Sequence, residues 1–187
     1  MPTSVKQFDA EALYRDLLEQ VRTGLFDVTS VTNVTNIANV AIVGIHSGGA
    51  WLAERLAADL GPELGCAPGA RLGFIDVSFY RDDYARKGLH ADVKPSQIGF
   101  DVDRATILLV DDVLNTGRTT RAAINVLFDY GRPARIMLAA LADRGGRELP
   151  MAADFVAAHV SLEPTQALLL ARGADGTLSL TIEEDHA

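Results

Sequence analysis

Cysteine occurs once, as Cys66, so no disulfide can form within the chain, and such isolation fits a reducing cytoplasm better than an extracellular scaffold. Cys66 itself reads as a small buried residue. A signal peptide is not expected, because Lys6, Asp9, Glu11, Arg15, Asp16 and Glu19 interrupt the first twenty positions. Nothing elsewhere approaches the ~18 apolar residues of a membrane span. A soluble, cytoplasmic protein is expected. Positive charge is in short supply: 17 Lys and Arg stand against 25 Asp and Glu, for a formal charge of -8, and the pI is near 4.9. Phosphate backbones are held chiefly by clustered cations, so this balance disfavours a protein built on nonspecific nucleic-acid binding, while leaving room for a local basic patch. Internal repeats, low-complexity tracts and dividing linkers are absent too. The 187 residues, 48% of them hydrophobic, therefore read as one domain, of a size that buries about 70% of its unfolded surface.

What is present is an alternation of apolar strands and amphipathic helices. Leu13, Leu17, Leu18 and Val21 form one stripe of a helix over Ala10–Val21, with Gly24 expected to end it. The Thr- and Asn-rich stretch Thr29–Asn39 suits either a polar connection or a short edge strand. Val40–Ile45 is a buried strand, His46-Ser47-Gly48-Gly49 a glycine turn, and Trp51–Leu60 a helix with Leu52, Leu56 and Leu60 in register. Leu72–Tyr80 reads as a strand. So does Ile107–Val110, ending abruptly at Asp111 and Asp112. A helix over Thr120–Tyr130 follows, with Gly131 as its left-handed C-terminal residue and Pro133 barring continuation. Arg135–Leu141 is a further strand, and Phe155–Ala158 another candidate. The expected fold is α/β: a mainly parallel sheet covered by helices, with ligands at the carboxyl ends of the strands. Arg81–Gly99, a charged connection too long for an ordinary loop, is read as a lid over those ends.

The segment that carries chemistry is Val110-Asp111-Asp112-Val113-Leu114-Asn115-Thr116-Gly117-Arg118-Thr119, between a buried strand and a helix. Backbone N-H groups at a helix N-terminus are unpaired and partly positive, so the Thr116–Thr119 turn can cradle a phosphate dianion. Gly117 permits close approach, and Thr116 and Thr119 add hydroxyl donors. The two carboxylates are acceptors that repel phosphate and need a different group. A ribose diol meets that need: its 2' and 3' hydroxyls donate to the acids while its 5' phosphate reaches the amides. The competing account is that Asp111 and Asp112 only begin a turn and cap a helix, as either would alone. Neither G-x-x-x-x-G-K-[ST] nor G-x-G-x-x-G occurs, which removes ATPase and dinucleotide readings. A phosphorylation-receiver domain also ends a strand with an acidic pair, but it needs a later lysine, and none follows Lys94.

Leu109–Thr119 resembles the signature by which type I phosphoribosyltransferases bind phosphoribosyl pyrophosphate (PRPP). Val43–Gly49, Phe79–Asp83, Asp129–Ala134, Asp143-Arg144-Gly145 and Arg147-Glu148-Leu149-Pro150 narrow the resemblance to the PyrR family of uracil phosphoribosyltransferases and pyrimidine-operon regulators. The match runs from Val40 to Phe155. It implies conversion of uracil and PRPP to UMP and diphosphate, with Mg²⁺ bound through PRPP, no direct protein ligand to the metal assigned, and a dimer or dimer-based tetramer.

By position, the resemblance gives Asp111 and Asp112 the ribose hydroxyls and counts Val113 and Leu114 within the binding segment. Asn115, Thr116, Gly117, Arg118 and Thr119 take the 5' phosphate, and Ser47 and Gly48 the diphosphate. Arg144 matches a substrate-contacting arginine, Leu168 falls near a base contact, and Tyr80 and Arg81 begin the lid. Each has a plainer reading: Ser47-Gly48-Gly49 as a tight turn, Arg144 in a surface ion pair, His46 as a local hydrogen-bonding residue, Trp51 as core. The chain departs from the family where basic residues commonly stand in the diphosphate loop and where an aromatic commonly replaces Asn115. A second function class is an RNA-binding attenuator sensing UMP or UTP. It needs a basic face, for which Arg121, Arg132, Arg135 and Arg147 are candidates, though ordinary solvated surface accounts for them. A third is transfer to a base other than uracil, since the PRPP loop does not choose the acceptor.

Overall fold

The structure, a computed structural model, describes residues 7–26, 39–67, 69–77 and 96–184. Its centre is a six-stranded sheet built from β2 (Val40–Ile45), β3 (Leu72–Ile75), β4 (Gln97–Ile98), β5 (Thr106–Leu114), β6 (Arg135–Asp143) and β7 (Phe155–His159), in the spatial order β4-β3-β2-β5-β6-β7. All neighbours are parallel except the edge pair β3–β4. From β2 the chain steps outward to β3, then returns to the other side of β2 as β5 and proceeds through β6 to β7. The topology therefore reverses between β2 and β5, where the carboxyl ends of diverging strands leave a crevice.

Because side chains alternate across a strand, each apolar strand feeds two cores. Val40, Ile42, Leu108, Val110, Met137 and Ala139 join α1 (Ala10–Phe26) and α2 (Gly48–Leu64) on one face. Ala41, Val43, Ile107, Leu109, Leu138 and Ala140 meet α3 (Arg118–Tyr130) on the other. Among the described residues no helix is long and apolar enough to cross a membrane.

Several expectations need revision. Gly24 does not end α1; it is buried within it, and the helix runs on to Phe26. Gly131 is extended rather than left-handed, with φ 165°. Its missing side chain matters for another reason: a Cβ there would stand 2.8 Å from Asp103 Oδ1, which accepts the Arg132 N-H. β3 ends at Ile75, short of the expected Tyr80, and residues 78–80 lie outside the described set. A second sheet was not anticipated. β1 (Gln7–Phe8), β9 (Leu178–Glu184) and β8 (Gln166–Arg172) form a three-stranded antiparallel layer whose Leu170, Leu178 and Leu180 join the core beneath α1 and α2. Glu11 ties these layers by accepting the Leu178 N-H and both terminal nitrogens of Arg55, while the Arg55 guanidinium lies 4.0 Å over the Tyr14 ring.

Candidate active site

β2 and β5 run together from Val40↔Thr106 to Gly44↔Val110, after which β2 turns away at Ile45 and β5 continues beside β6 to Leu114↔Asp143. The strand thus extends four residues past the expected end at Val110. Asp111 and Asp112 lie within it, on the stretch that has lost one neighbour. Adjacent strand residues face opposite ways. Asp112 is half-buried against the glycine turn, while Asp111 is only 5% exposed. Asp111 Oδ1 accepts the Asp112 N-H and Asp112 Oδ1 the Val113 N-H, each at 3.0 Å.

The chain after β2 fits against β5 only because Gly48 and Gly49 lack side chains. A Cβ on Gly48 would stand 2.6 Å from Asp112 Cγ, and one on Gly49 would come within 3.0 Å of Asp111 Cα. The His46–Ser47 peptide is cis. Ser47 is exposed, and its side chain makes no capping bond to α2. Trp51 is the first α2 amide bonded back into the turn, to Ser47 O. The N-H groups of Gly48, Gly49 and Ala50 have no acceptor among the described residues. The unpaired amides of a second helix open beside them, because α3 begins at the end of the neighbouring strand. There, among the described residues, the N-H groups of Thr116, Gly117, Thr119 and Thr120 are unbonded, while Arg118 N-H turns to Thr116 Oγ1. Two electropositive amide clusters therefore flank one acidic pair, an arrangement able to hold two phosphate groups and a diol between them.

Gly117 is required twice over. Its φ is +89°, and a Cβ would stand 2.9 Å from Met151 Cγ. Met151 belongs to an arm, residues 144–151, that wraps the loop from behind. Arg144 N-H donates to Leu114 O, and Glu148 and Leu149 N-H both donate to Thr116 O. Arg147 Nη1 donates to Asn115 O at 2.6 Å, its Nε to Met151 O at 2.8 Å, and its Nη2 to Asp143 Oδ2 at 2.5 Å. Burial pushes the Asp143 carboxyl up, but the Arg147 hydrogen bond, the Gly145 amide and the charges of Arg147 and His159 outweigh it and hold the group below its ordinary value. Arg147 is thus an internal brace, which corrects its reading as solvated surface. Arg132 stays exposed, as expected of solvated surface, with Nη1 donating to Phe128 O and Gly131 O. The signal in the sequence was Arg147 within Arg147-Glu148-Leu149-Pro150, but only folding sets it beneath a loop about thirty residues earlier.

The remaining expected site residues are placed as follows. Arg144, half-buried at the carboxyl end of β6, has no hydrogen bond or ion pair from its guanidinium among the described residues, so the surface ion pair considered for it is not among those formed there. Arg118 is engaged with Glu148 Oε2 at 2.6 Å. Thr119 is half-buried at the first turn of α3. Leu114 is 1% exposed in the α3-side core, so its side chain is structural, and its carbonyl already serves the arm. Val113 is half-buried beside it. The Asn115 side chain rests on Gly146, where a Cβ would stand 2.9 Å from its Oδ1. Leu168 sits on β8, opposite Ile182 and against the α1–α2 core, in a different sheet from the loop. Tyr80, Arg81 and most of the expected lid lie outside the described residues. The ends of that segment are anchored together, however: Asp76 N-H donates to Ser96 Oγ, and Gln97–Ile98 pairs with β3. His46 stacks obliquely on Phe74, and Trp51 packs at the core edge under Arg172.

Comparisons with known proteins agree with this geometry. Residues 15–164 match the phosphoribosyl transferase domain family. A bifunctional protein PyrR from Ralstonia nicotianae is 47% identical over 171 residues, covering 91% of this chain and 90% of that one. Another from Nitrosococcus oceani is 52% identical over 129 residues, covering 69% and 71%. Among solved structures, a mutant hypoxanthine phosphoribosyltransferase from Trypanosoma cruzi in a ternary substrates complex superposes with a TM-score of 0.63 over 93% of this chain and 87% of that chain, at 20% identity, a likeness of fold. Two amide clusters about an acidic pair, on a sheet that reverses between them, are thus joined to a family match over most of the chain, and the protein belongs to the phosphoribosyltransferases, within them to the PyrR family.

Proposed function

We propose that the protein transfers the 5-phosphoribosyl group of PRPP to N1 of uracil, giving UMP and diphosphate. The observation that carries this is the pairing of two amide clusters, at Gly48–Ala50 and at Thr116–Thr120, on either side of Asp111 and Asp112. PRPP has the matching pattern: a diphosphate at C1, a diol, and a phosphate at C5. The N1–C1 bond forms as the C1–diphosphate oxygen bond breaks, and the N1 proton leaves uracil. Charge accumulates on the departing diphosphate, where fixed amide dipoles act without reorganising. Those of Gly48 and Gly49 supply this charge stabilisation without a basic side chain in the turn, and the Arg144 guanidinium adds a cation. Asp111 and Asp112 accept the ribose hydroxyls and fix C1 relative to the base, a contribution of positioning.

Magnesium supplies further charge neutralisation on the diphosphate when bound with PRPP. Asp111 and Asp112 offer the hard carboxylate oxygens that magnesium takes, beside the substrate oxygens that would complete its shell. Tyr80, Arg81 and the segment rooted at Asp76 and Ser96 are the proposed cover that excludes water. Leu168 is retained as the proposed apolar base contact. Uracil is favoured over other bases by the PyrR relatives, and a dimer or dimer-based tetramer is part of the same reading. Pyrimidine-dependent regulation of gene expression is its second activity, though Arg147 is drawn away from any RNA-binding face by its bonds to the loop and to Asp143.

The deciding experiment offers uracil, orotate, hypoxanthine, guanine or adenine separately with PRPP and Mg²⁺. UMP from uracil alone establishes the reading; no nucleotide from any base, despite UMP binding, leaves a sensor in its place.

A further inference from the structure

The loop read as the 5'-phosphate site has an unusual support. In a trans peptide the C=O of one residue and the N-H of the next point in opposite directions. The arm binds Asn115 O through Arg147 Nη1 and Thr116 O through the amides of Glu148 and Leu149. The same two peptide planes carry the N-H groups of Thr116 and Gly117, which must therefore face away from the arm, and both lack acceptors among the described residues. Holding the carbonyls aims the amides. The backbone bonds of the arm secure Thr116, but Asn115 O depends on one side chain.

We infer that Arg147 is a positioning residue for the phosphate cradle: it touches no substrate, and it orients the Asn115–Thr116 peptide so that the loop amides converge on the 5' phosphate. This rests on the phosphoribosyltransferase reading of the loop. Arg147 is well suited because its planar fork is fixed by three directions at once, from Asp143 Oδ2, Asn115 O and Met151 O. A lysine, one compact charge on a flexible stem, cannot span them. Asp143 is in turn held by the Gly145 N-H at 2.8 Å and sits at the end of β6, in register with Leu114 of β5. The chain of constraint runs from sheet to carboxylate to guanidinium to loop.

The test measures binding of UMP and of uridine, which lacks only the phosphate, to the full-length protein by calorimetry. Wild type, Arg147→Gln, Arg147→Ala and Asp143→Asn are compared, with thermal melting alongside. Loss of one oriented donor set should cut the preference for UMP over uridine about tenfold in Arg147→Gln, leaving uridine binding unchanged. Methylguanidinium should restore part of it in Arg147→Ala. An unchanged preference, or an equal loss for both ligands, overturns the positioning role. A wild type that binds UMP no better than uridine removes the phosphate reading of the loop and the inference with it. Should the Arg147 variants fail to fold, Asp143→Asn decides: a loss confined to UMP supports the role, and an unchanged or uniform response overturns it.

Discussion

Gly48 lies directly against Asp112: a Cβ built on the glycine would stand 2.6 Å from the aspartate Cγ. The turn that carries the Gly48–Ala50 amides and the strand that carries Asp111 and Asp112 are therefore in contact, and the spacing between these two parts of the proposed site is set by the absence of one methyl group. Gly48→Ala should push the carboxylate from its place. We expect turnover to fall by about a hundredfold or more, as for a small misplacement of reacting groups, with steady-state kinetics as the measurement. Retained activity would show that the contact is dispensable.

Asp111→Asn and Asp112→Asn keep shape and remove charge. The double substitution should abolish most nucleotide formation and weaken PRPP binding, because neutral amides accept less strongly from ribose hydroxyls. Melting temperature is the control. A folded double variant with unaltered kinetics would assign the acids to the turn alone.

Gly117→Ala combines two costs that can be separated. The positive φ costs about 1–2 kcal/mol for a residue with a side chain, and Met151 occupies the space the new methyl needs. Adding Met151→Ala should recover the steric part only. Stability of the single and double variants, by denaturant titration, tests whether a deficit of about that backbone cost remains.

Asp143 has a folded-state pKa below its ordinary 3.8. A depressed carboxylate contributes stability that is present above the unfolded pKa and lost as pH falls through the folded one. The melting-temperature gap between wild type and Asp143→Asn should thus be constant near neutrality and shrink below about pH 4. A gap that widens on acidification would contradict the assignment.

Tyr14→Phe serves as a control remote from the loop. The buried Tyr14 hydroxyl donates to Asp59 at 2.6 Å, and burial followed by that hydrogen bond pushes the phenol pKa up. Asp59 stands about 17 Å along α2 from Gly48, at 1.5 Å per residue. Removing the bond should cost about 1 kcal/mol, or about 2–4 °C in Tm for a chain of this size, with catalysis unaffected.

The acidic loop was legible because its chemistry is local. Asp111 to Thr119 are consecutive, so the carboxylates, the close-approach glycine and the helix amides are all present in one stretch. The same holds for His46 to Gly49. The arm was not legible in this sense. Arg147 is one arginine among several in the sequence, and nothing in its neighbours says that it turns inward, because its acceptors Asn115 and Asp143 come from different strand ends. The β1-β9-β8 sheet escaped notice for a related reason: its strands join the two ends of the chain, and pairing such as Phe8↔Leu180 leaves no periodic mark in either segment alone.

By itself, then, the sequence determined the alternating strands and helices, the parallel sheet they imply, and the acidic, glycine-containing loop before α3, since each depends on periodicity or on adjacent residues. The tertiary structure alone decided how far β5 runs beyond β2, where Gly48 meets Asp112, which of Arg144 and Arg147 is committed to the protein, and which face of the loop its amides present. These depend on groups distant in the chain becoming neighbours, and only the closing of the sheet brings them within hydrogen-bonding range.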